Sequence, residues 1–226
     1  MDNFFRNVAL EDAQNIEQAA RLIFELRENR AALLMPYAVA DEAALLVAIA
    51  AGQQPEHPTY ERYLSARILE RTRQTLRREL AGQVAPGSSL APASGEATED
   101  AAVHHFELKE ALEKRYADRL DGEPQLMQDA LALCFAGGLI VELRVAAADH
   151  YAFSWLWGDA ELRIDTAPRP GATGVPASHF HDADGMLRDD PVTQPGRAPL
   201  DNIAALLDAL LVDPLLERRD QPEPNP

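Results

Sequence analysis

The sequence predicts an α+β protein in which an N-terminal helical segment is followed by a small antiparallel sheet packed on a C-terminal helix. Apolar residues between positions 10 and 80 recur at the three- and four-residue spacing of amphipathic helices. Between 139 and 166, apolar and polar residues alternate with the period of half-buried strands. From 200 to 216 the helical spacing returns, so one helix is expected to close the fold.

Three helices are predicted in the N-terminal part. The first covers 10–34 and is ended by Pro36, because proline cannot continue a helix. The second begins at Asp41, whose carboxylate suits the N-cap position. Since this second helix is apolar on almost every side, we expect it to be buried. The third follows Pro58 and covers 59–80.

The third helix also contains the basic stretch of the chain. Its arginines are Arg62, Arg67, Arg71, Arg73, Arg77 and Arg78. Its apolar stripe is expected to face inward, which leaves most of these side chains outside. Glutamates in the same helix favour a solvated face with Glu–Arg pairs. A face for a partner or a nucleic acid is the alternative.

Domain boundaries follow from composition. The stretch 85–103 is rich in proline, glycine, serine and alanine and cannot bury enough surface to offset the entropy of ordering, which predicts a flexible linker. We therefore expect a helical domain at 1–84 and an α+β domain at 104–220. A disordered tail is expected at 221–226.

The α+β domain should begin with a short charged helix at 105–120. Three strands are then predicted at 139–145, 151–157 and 160–166. Because these strands are separated by very few residues, we expect an antiparallel meander. The helix at 200–216 should pack its apolar side on this sheet.

Charge and composition restrict the classes of function. The formal net charge of −16 argues against nonspecific nucleic-acid binding by the whole surface, because phosphate contacts need clustered lysine and arginine. We expect no stretch long and apolar enough to span a membrane, and no secretory signal. A cytoplasmic location follows. The single cysteine, Cys134, excludes an intrachain disulfide, and its apolar neighbours predict a buried structural thiol.

The residues best suited to catalysis or ligand binding come after the second predicted strand. Arg163 and Asp165 lie on the third predicted strand, and His179 and His181 come after it. Residues two apart in an extended segment point to the same face. If the third strand pairs with the histidine segment, one pocket holds two imidazoles, a guanidinium and a carboxylate, while Phe180 packs inward.

Three interpretations of this pocket are open. The two imidazoles can serve as general base and acid, with Arg163 stabilising charge on a phosphoryl group, as metal-free RNA cleavage requires. Alternatively, His179, His181 and one of Asp165 or Asp182 form a two-histidine, one-carboxylate metal site. In the third interpretation Arg163 and Asp165 make structural ion pairs and the histidines hydrogen-bond within a loop.

The C-terminal part also carries a series of short motifs. In order they are Gly-Leu-Ile-Val-Glu-Leu-Arg from Gly138, Tyr-Ala-Phe-Ser-Trp from Tyr151, Leu-Arg-Ile-Asp-Thr-Ala-Pro from Leu162, Pro-x-x-His-x-His from Pro176, and a terminal helix. This order resembles the TumE-type toxins of bacterial toxin–antitoxin pairs over about residues 124–217. In that family an Arg-x-Asp strand ending near a proline is followed by a Pro-x-His-x-His-like element.

The resemblance implies a bacterial toxin-like protein that inhibits growth, with RNA as its target and an antitoxin as its partner. His179 and His181 are then the acid–base candidates, Arg163 would contact phosphate, and Asp165 would orient an imidazole. This possible ribonuclease is expected to need no cofactor. The alternative function is a non-catalytic, acidic protein-interaction module in which the N-terminal helices bind a basic partner. A metal-binding enzyme is the third hypothesis.

Overall fold

The computed structural model describes residues 10–84, 105–169 and 177–217. Its helices are α1 (Leu10–Leu34), α2 (Glu42–Ala50), α3 (Thr59–Val84), α4 (His105–Tyr116) and α5 (Pro199–Leu210). Its strands are β1 (Gln125–Leu126), β2 (Leu131–Cys134), β3 (Ile140–Ala147), β4 (His150–Trp157), β5 (Ala160–Asp165), β6 (His179–His181) and β7 (Leu187–Asp189). The α+β class is confirmed. The predicted linker and tail lie outside the described residues.

The strands form one antiparallel sheet in which their order in space is their order in the chain. The three predicted strands are confirmed as β3, β4 and β5, and they form the expected meander. Strands β1, β2 and β7 are additional. They contain two, four and three residues, which is too short for alternation to reveal them in a sequence.

One face of the sheet carries the large apolar side chains. Tyr151, Phe153 and Trp155 of β4 are buried there. They pack with apolar residues of α4 and α5, including Leu112 and Leu207. The alternation of β4 therefore places its aromatic residues in the main core, as its sequence predicts.

The opposite face of the sheet carries small residues where the N-terminal helices cover it. Ala146 and Ala152 pack in one cluster with Tyr60 and Leu64 of α3. Small side chains let the helix approach the sheet closely. The result is three layers, with α4 and α5 on one side of the sheet and α3, supported by α1 and α2, on the other.

The predicted helices are confirmed, with differences in their ends and in the burial of α2. Asp41 caps α2 as expected, because its side chain accepts a hydrogen bond from the backbone N–H of Ala44 at 2.8 Å. Helix α3 continues four residues past its predicted end, whereas α4 ends four residues and α5 six residues before theirs. The expected full burial of α2 is wrong, because Leu45 and Ile49 are buried while Val47 is 67% exposed. Only one side of this short helix packs on α3.

The expected burial of Cys134 is also wrong. Leu131 and Leu133 of β2 are buried in the core, and Cys134 is exposed. Successive residues of a strand point to opposite faces, so the apolar run around the cysteine continues on both sides of the sheet. A continuous run of apolar residues does not show this alternation in the sequence.

One stretch of the described residues, Ala13–Ala50, is long and apolar enough to cross a membrane by length and composition alone. We expected no such stretch. It is not a single continuous helix, because a 3₁₀ turn at Met35–Tyr37 separates α1 from α2. Core helices of soluble proteins and signal sequences pass the same test, so one such stretch is weak evidence for a membrane span. The finding is consistent with a soluble protein.

Replacing Leu45 by alanine should lower the free energy of unfolding by about 2 to 5 kcal/mol, because a fully buried leucine leaves a cavity. Val47→Ala on the same helix should change it by less than about 0.5 kcal/mol, since that side chain faces solvent. Urea unfolding followed by circular dichroism measures both. Equal effects of the two changes would contradict the described packing of α2.

Native Cys134 should react with a thiol reagent at nearly the rate of a small-molecule thiol, because its side chain is exposed. Cys134→Ser should leave the urea midpoint unchanged. A native protein that reacts only after unfolding would show that the thiol is buried after all.

Candidate functional site

The four residues proposed from the sequence lie on one face of the sheet. Strand β5 pairs with β6 so that Arg163 is opposite His181 and Asp165 is opposite His179. Phe180 points to the other face, where its ring stacks on Trp155 with the ring centroids 5.8 Å apart. The shared pocket required the third predicted strand to pair with the histidine segment, and this pairing is present. Pro176 lies outside the described residues.

The turn before α3 adds residues that the sequence did not indicate. This turn lies over the same face of the sheet and brings Glu56 to the histidines. The Oε1 atom of Glu56 lies 2.9 Å from Nε2 of His179 and 2.9 Å from Nε2 of His181. One carboxylate oxygen of the helical segment thus joins both imidazoles of the sheet.

Asp165 is fully buried beneath this contact. Its Oδ2 accepts a hydrogen bond from Nε of Arg163 at 2.7 Å, and its Oδ1 accepts one from the backbone N–H of Ala167 at 2.9 Å. Nε2 of His179 lies 3.2 Å from Oδ1. Asp165 is therefore held in place from three sides and helps to hold one imidazole.

His57 completes the cluster from the helical side. Its Nδ1 lies 2.7 Å from Oε1 of Glu61, at the start of α3, and that oxygen is also 3.4 Å from Arg163. The Nε2 atom of His57 is buried and has no hydrogen-bond partner among the described residues. It faces two carboxylates, 3.6 Å from Glu56 Oε1 and 3.8 Å from Asp165 Oδ2.

The electrostatics of the cluster favour ionised carboxylates. Burial alone would raise the pKa of Glu56, but hydrogen bonds from His179 and His181 and the charge on those rings hold its pKa well below the usual range. Burial likewise opposes ionisation of Glu61, while its hydrogen bond with His57 and the nearby Arg163 lower its pKa overall. Both side chains are negatively charged at neutral pH.

Four side chains of the cluster carry donor atoms that could hold a metal ion. One ligand atom each from Glu56, Asp165, His179 and His181 can be chosen so that all lie within 4.8 Å of one another. Asp182, the alternative carboxylate considered from the sequence, is not among them. It pairs with Arg188 at 2.6 Å and accepts backbone hydrogen bonds from Asp184 and Met186 within its own turn.

The missed residues had only a weak signal in the sequence. Glu56 and His57 are adjacent in a turn, and Glu61 follows His57 at the i,i+4 spacing of neighbouring helical side chains. Such pairs are common on solvated helix starts. Only the placement of α3 on the sheet shows that this turn faces the histidines.

Glu61→Gln should destabilise the protein by about 1 to 3 kcal/mol at pH 7, because it removes a charge-assisted hydrogen bond to His57. The pKa of Glu61 is lowered on folding, so the stabilisation is complete above its unfolded value of 4.5 and is lost as the pH falls below it. The difference between wild type and variant in urea unfolding should therefore shrink below about pH 4.5. Glu161→Gln, at an exposed position of β5, is the control. A difference that is independent of pH would contradict the assigned contact.

Comparison of the chain with family models, with curated proteins and with solved structures found no match. The resemblance over 124–217 is therefore an expectation from the sequence motifs alone.

Proposed function

We propose that this cluster is the active site of an enzyme, and that the chain is a toxin-like component of a bacterial toxin–antitoxin pair that acts on RNA. One observation carries the enzymatic part: Glu56, His179 and His181 meet at a single oxygen atom above the buried Asp165. The motif order over 124–217 supports the choice of RNA. A cytoplasmic location, where RNA is abundant, and an antitoxin partner belong to the same proposal.

The concentration of charge favours a functional site over a structural ion-pair network. Burying charged groups is unfavourable unless each is fully paired, and clusters of perturbed titratable groups are found mainly at active sites. Here the pairing is incomplete, because Nε2 of His57 and Nδ1 of His179 are buried without a hydrogen-bond partner among the described residues. Buried polar atoms without a partner are uncommon in native proteins, so these two nitrogens favour a site that receives a ligand.

The two histidines differ in access. His179 is completely buried, whereas the side chain of His181 is 20% exposed. His181 is therefore the imidazole that a substrate reaches first. Acid–base chemistry at His181 needs a free ring nitrogen, which is either Nδ1, with Glu56 orienting the ring through Nε2, or Nε2 after Glu56 has moved away.

Arg163 has a different place from the one expected. Its guanidinium is committed to Asp165 and Glu61, which are 2.7 Å and 3.4 Å away. In this arrangement it balances carboxylate charge and orients Asp165. We therefore propose a positioning role for Arg163 in place of a direct contact with phosphate.

Replacing His181 by alanine should abolish growth inhibition by the expressed chain and cleavage of purified cellular RNA by the isolated protein. The free energy of unfolding should stay within about 1 kcal/mol of wild type, since the side chain is near the surface. Growth curves, gel analysis of RNA and urea unfolding measure the three quantities. Glu161→Gln, on β5 and the same face of the sheet, should behave as wild type.

Full toxicity of the His181→Ala protein would overturn this proposal. If wild type and this variant also bind a basic protein with equal affinity, the non-catalytic interaction module becomes the better explanation of the acidic surface. Loss of toxicity with an unchanged urea midpoint supports a chemical role for His181.

A further inference from the structure

We propose that Glu56, Asp165, His179 and His181 form a binding site for one divalent transition-metal ion of the Zn²⁺ class. This inference rests on the proposed function and deepens it by assigning its active site a metal ion, with His181 acting there as a ligand in place of an acid–base group. The binding itself can be measured without RNA. Two imidazole nitrogens and two carboxylate oxygens are donors that such ions take readily in proteins.

The distances fit this assignment. Ligand atoms about 2.1 Å from a common ion lie roughly 3 to 4 Å from one another. The donor atoms of these four residues lie within 4.8 Å of one another, and both Nε2 atoms are 2.9 Å from Glu56 Oε1. Small movements of Glu56 and the rings are enough to admit an ion between them.

The negative charge of the cluster also favours a bound cation. The cluster contains the carboxyl groups of Glu56, Glu61 and Asp165 against the single guanidinium of Arg163. An RNA phosphate would be repelled by such a group of anions at short range. A divalent cation reverses the local charge, and it can then stabilise negative charge on a phosphoryl oxygen.

His57 provides an independent indication. Its ring is oriented by Glu61 through Nδ1, and its buried Nε2 faces the carboxylates of two proposed ligands without a hydrogen-bond partner. An imidazole nitrogen held in this way is expected where an ion, or water on that ion, completes a cluster.

The four proposed ligands come from two layers of the fold. Asp165, His179 and His181 stand on paired strands, and the contacts of Asp165 with Arg163 and Ala167 fix its orientation as supporting residues do around metal sites. Glu56 comes from the turn before α3. A bound ion would therefore link the helical segment to the sheet and stabilise the native state.

The test is a titration of the full chain, freed of metal by chelation, with Zn²⁺ alone and with Co²⁺ alone. Calorimetry should give one ion per chain, Co²⁺ should produce visible absorption bands, and the melting temperature should rise on loading. The titrations are made with wild type and with Cys134→Ser, because the exposed thiol could bind metal by itself.

Glu56→Gln and His181→Ala should each weaken Zn²⁺ binding at least tenfold. Both side chains are partly exposed, and circular dichroism without metal shows whether each variant is folded. Glu161→Gln is the matched control. If His181→Ala does not fold, Glu56→Gln, which keeps the size of the side chain, decides the question.

The inference is overturned if wild type binds no ion, or if both ligand variants bind as tightly as the control. It is also overturned if chelated protein cleaves RNA as fast as loaded protein, an outcome that leaves the proposed function intact. One bound ion per chain with no action on RNA would instead overturn the proposed function and leave the metal site standing.

Discussion

The register between β5 and β6 is the constraint on which the rest of the structure depends. Each strand alternates one core residue with site residues, so Ile164 pairs with Phe180 on one face while Asp165 pairs with His179 on the other. A slip of one residue would expose Phe180 and turn both imidazoles into the apolar core. Packing of Phe180 on Trp155 therefore fixes the direction of the histidines as well as stabilising the core.

The same alternation gives the sheet two unlike faces. Large aromatic and aliphatic residues fill the side covered by α4 and α5, and alanines face α3. Opposite the site residues, β4 contributes Ala152 next to Asp165 and Ser154 next to Arg163. These small neighbours leave room for the charged groups and for the turn that carries Glu56.

Local sequence patterns predict much of this structure. The amphipathic helices, the meander and the shared face of Arg163, Asp165, His179 and His181 follow from periodicities that act over a few residues. The burial of α2 and of Cys134 was misjudged because runs of apolar letters do not show which side meets a partner. Burial depends on neighbours far along the chain.

The helical half of the site could not be predicted for a related reason. Glu56 and His179 are 123 positions apart, and nothing in the local sequence of either indicates the other. Their contact results from the way α3 lies across the alanine face of the sheet. A site made by two layers is visible only when the packing of the layers is known.

Glu56 of the helical segment and the imidazoles of the sheet form one interacting group. A double-mutant cycle with Glu56→Gln and His181→Ala, measured by urea unfolding of metal-free protein, tests it most directly. Side chains in direct contact should show a coupling of at least about 0.5 kcal/mol. Additivity within about 0.3 kcal/mol would mean that the two residues do not interact, and it would contradict the site described here.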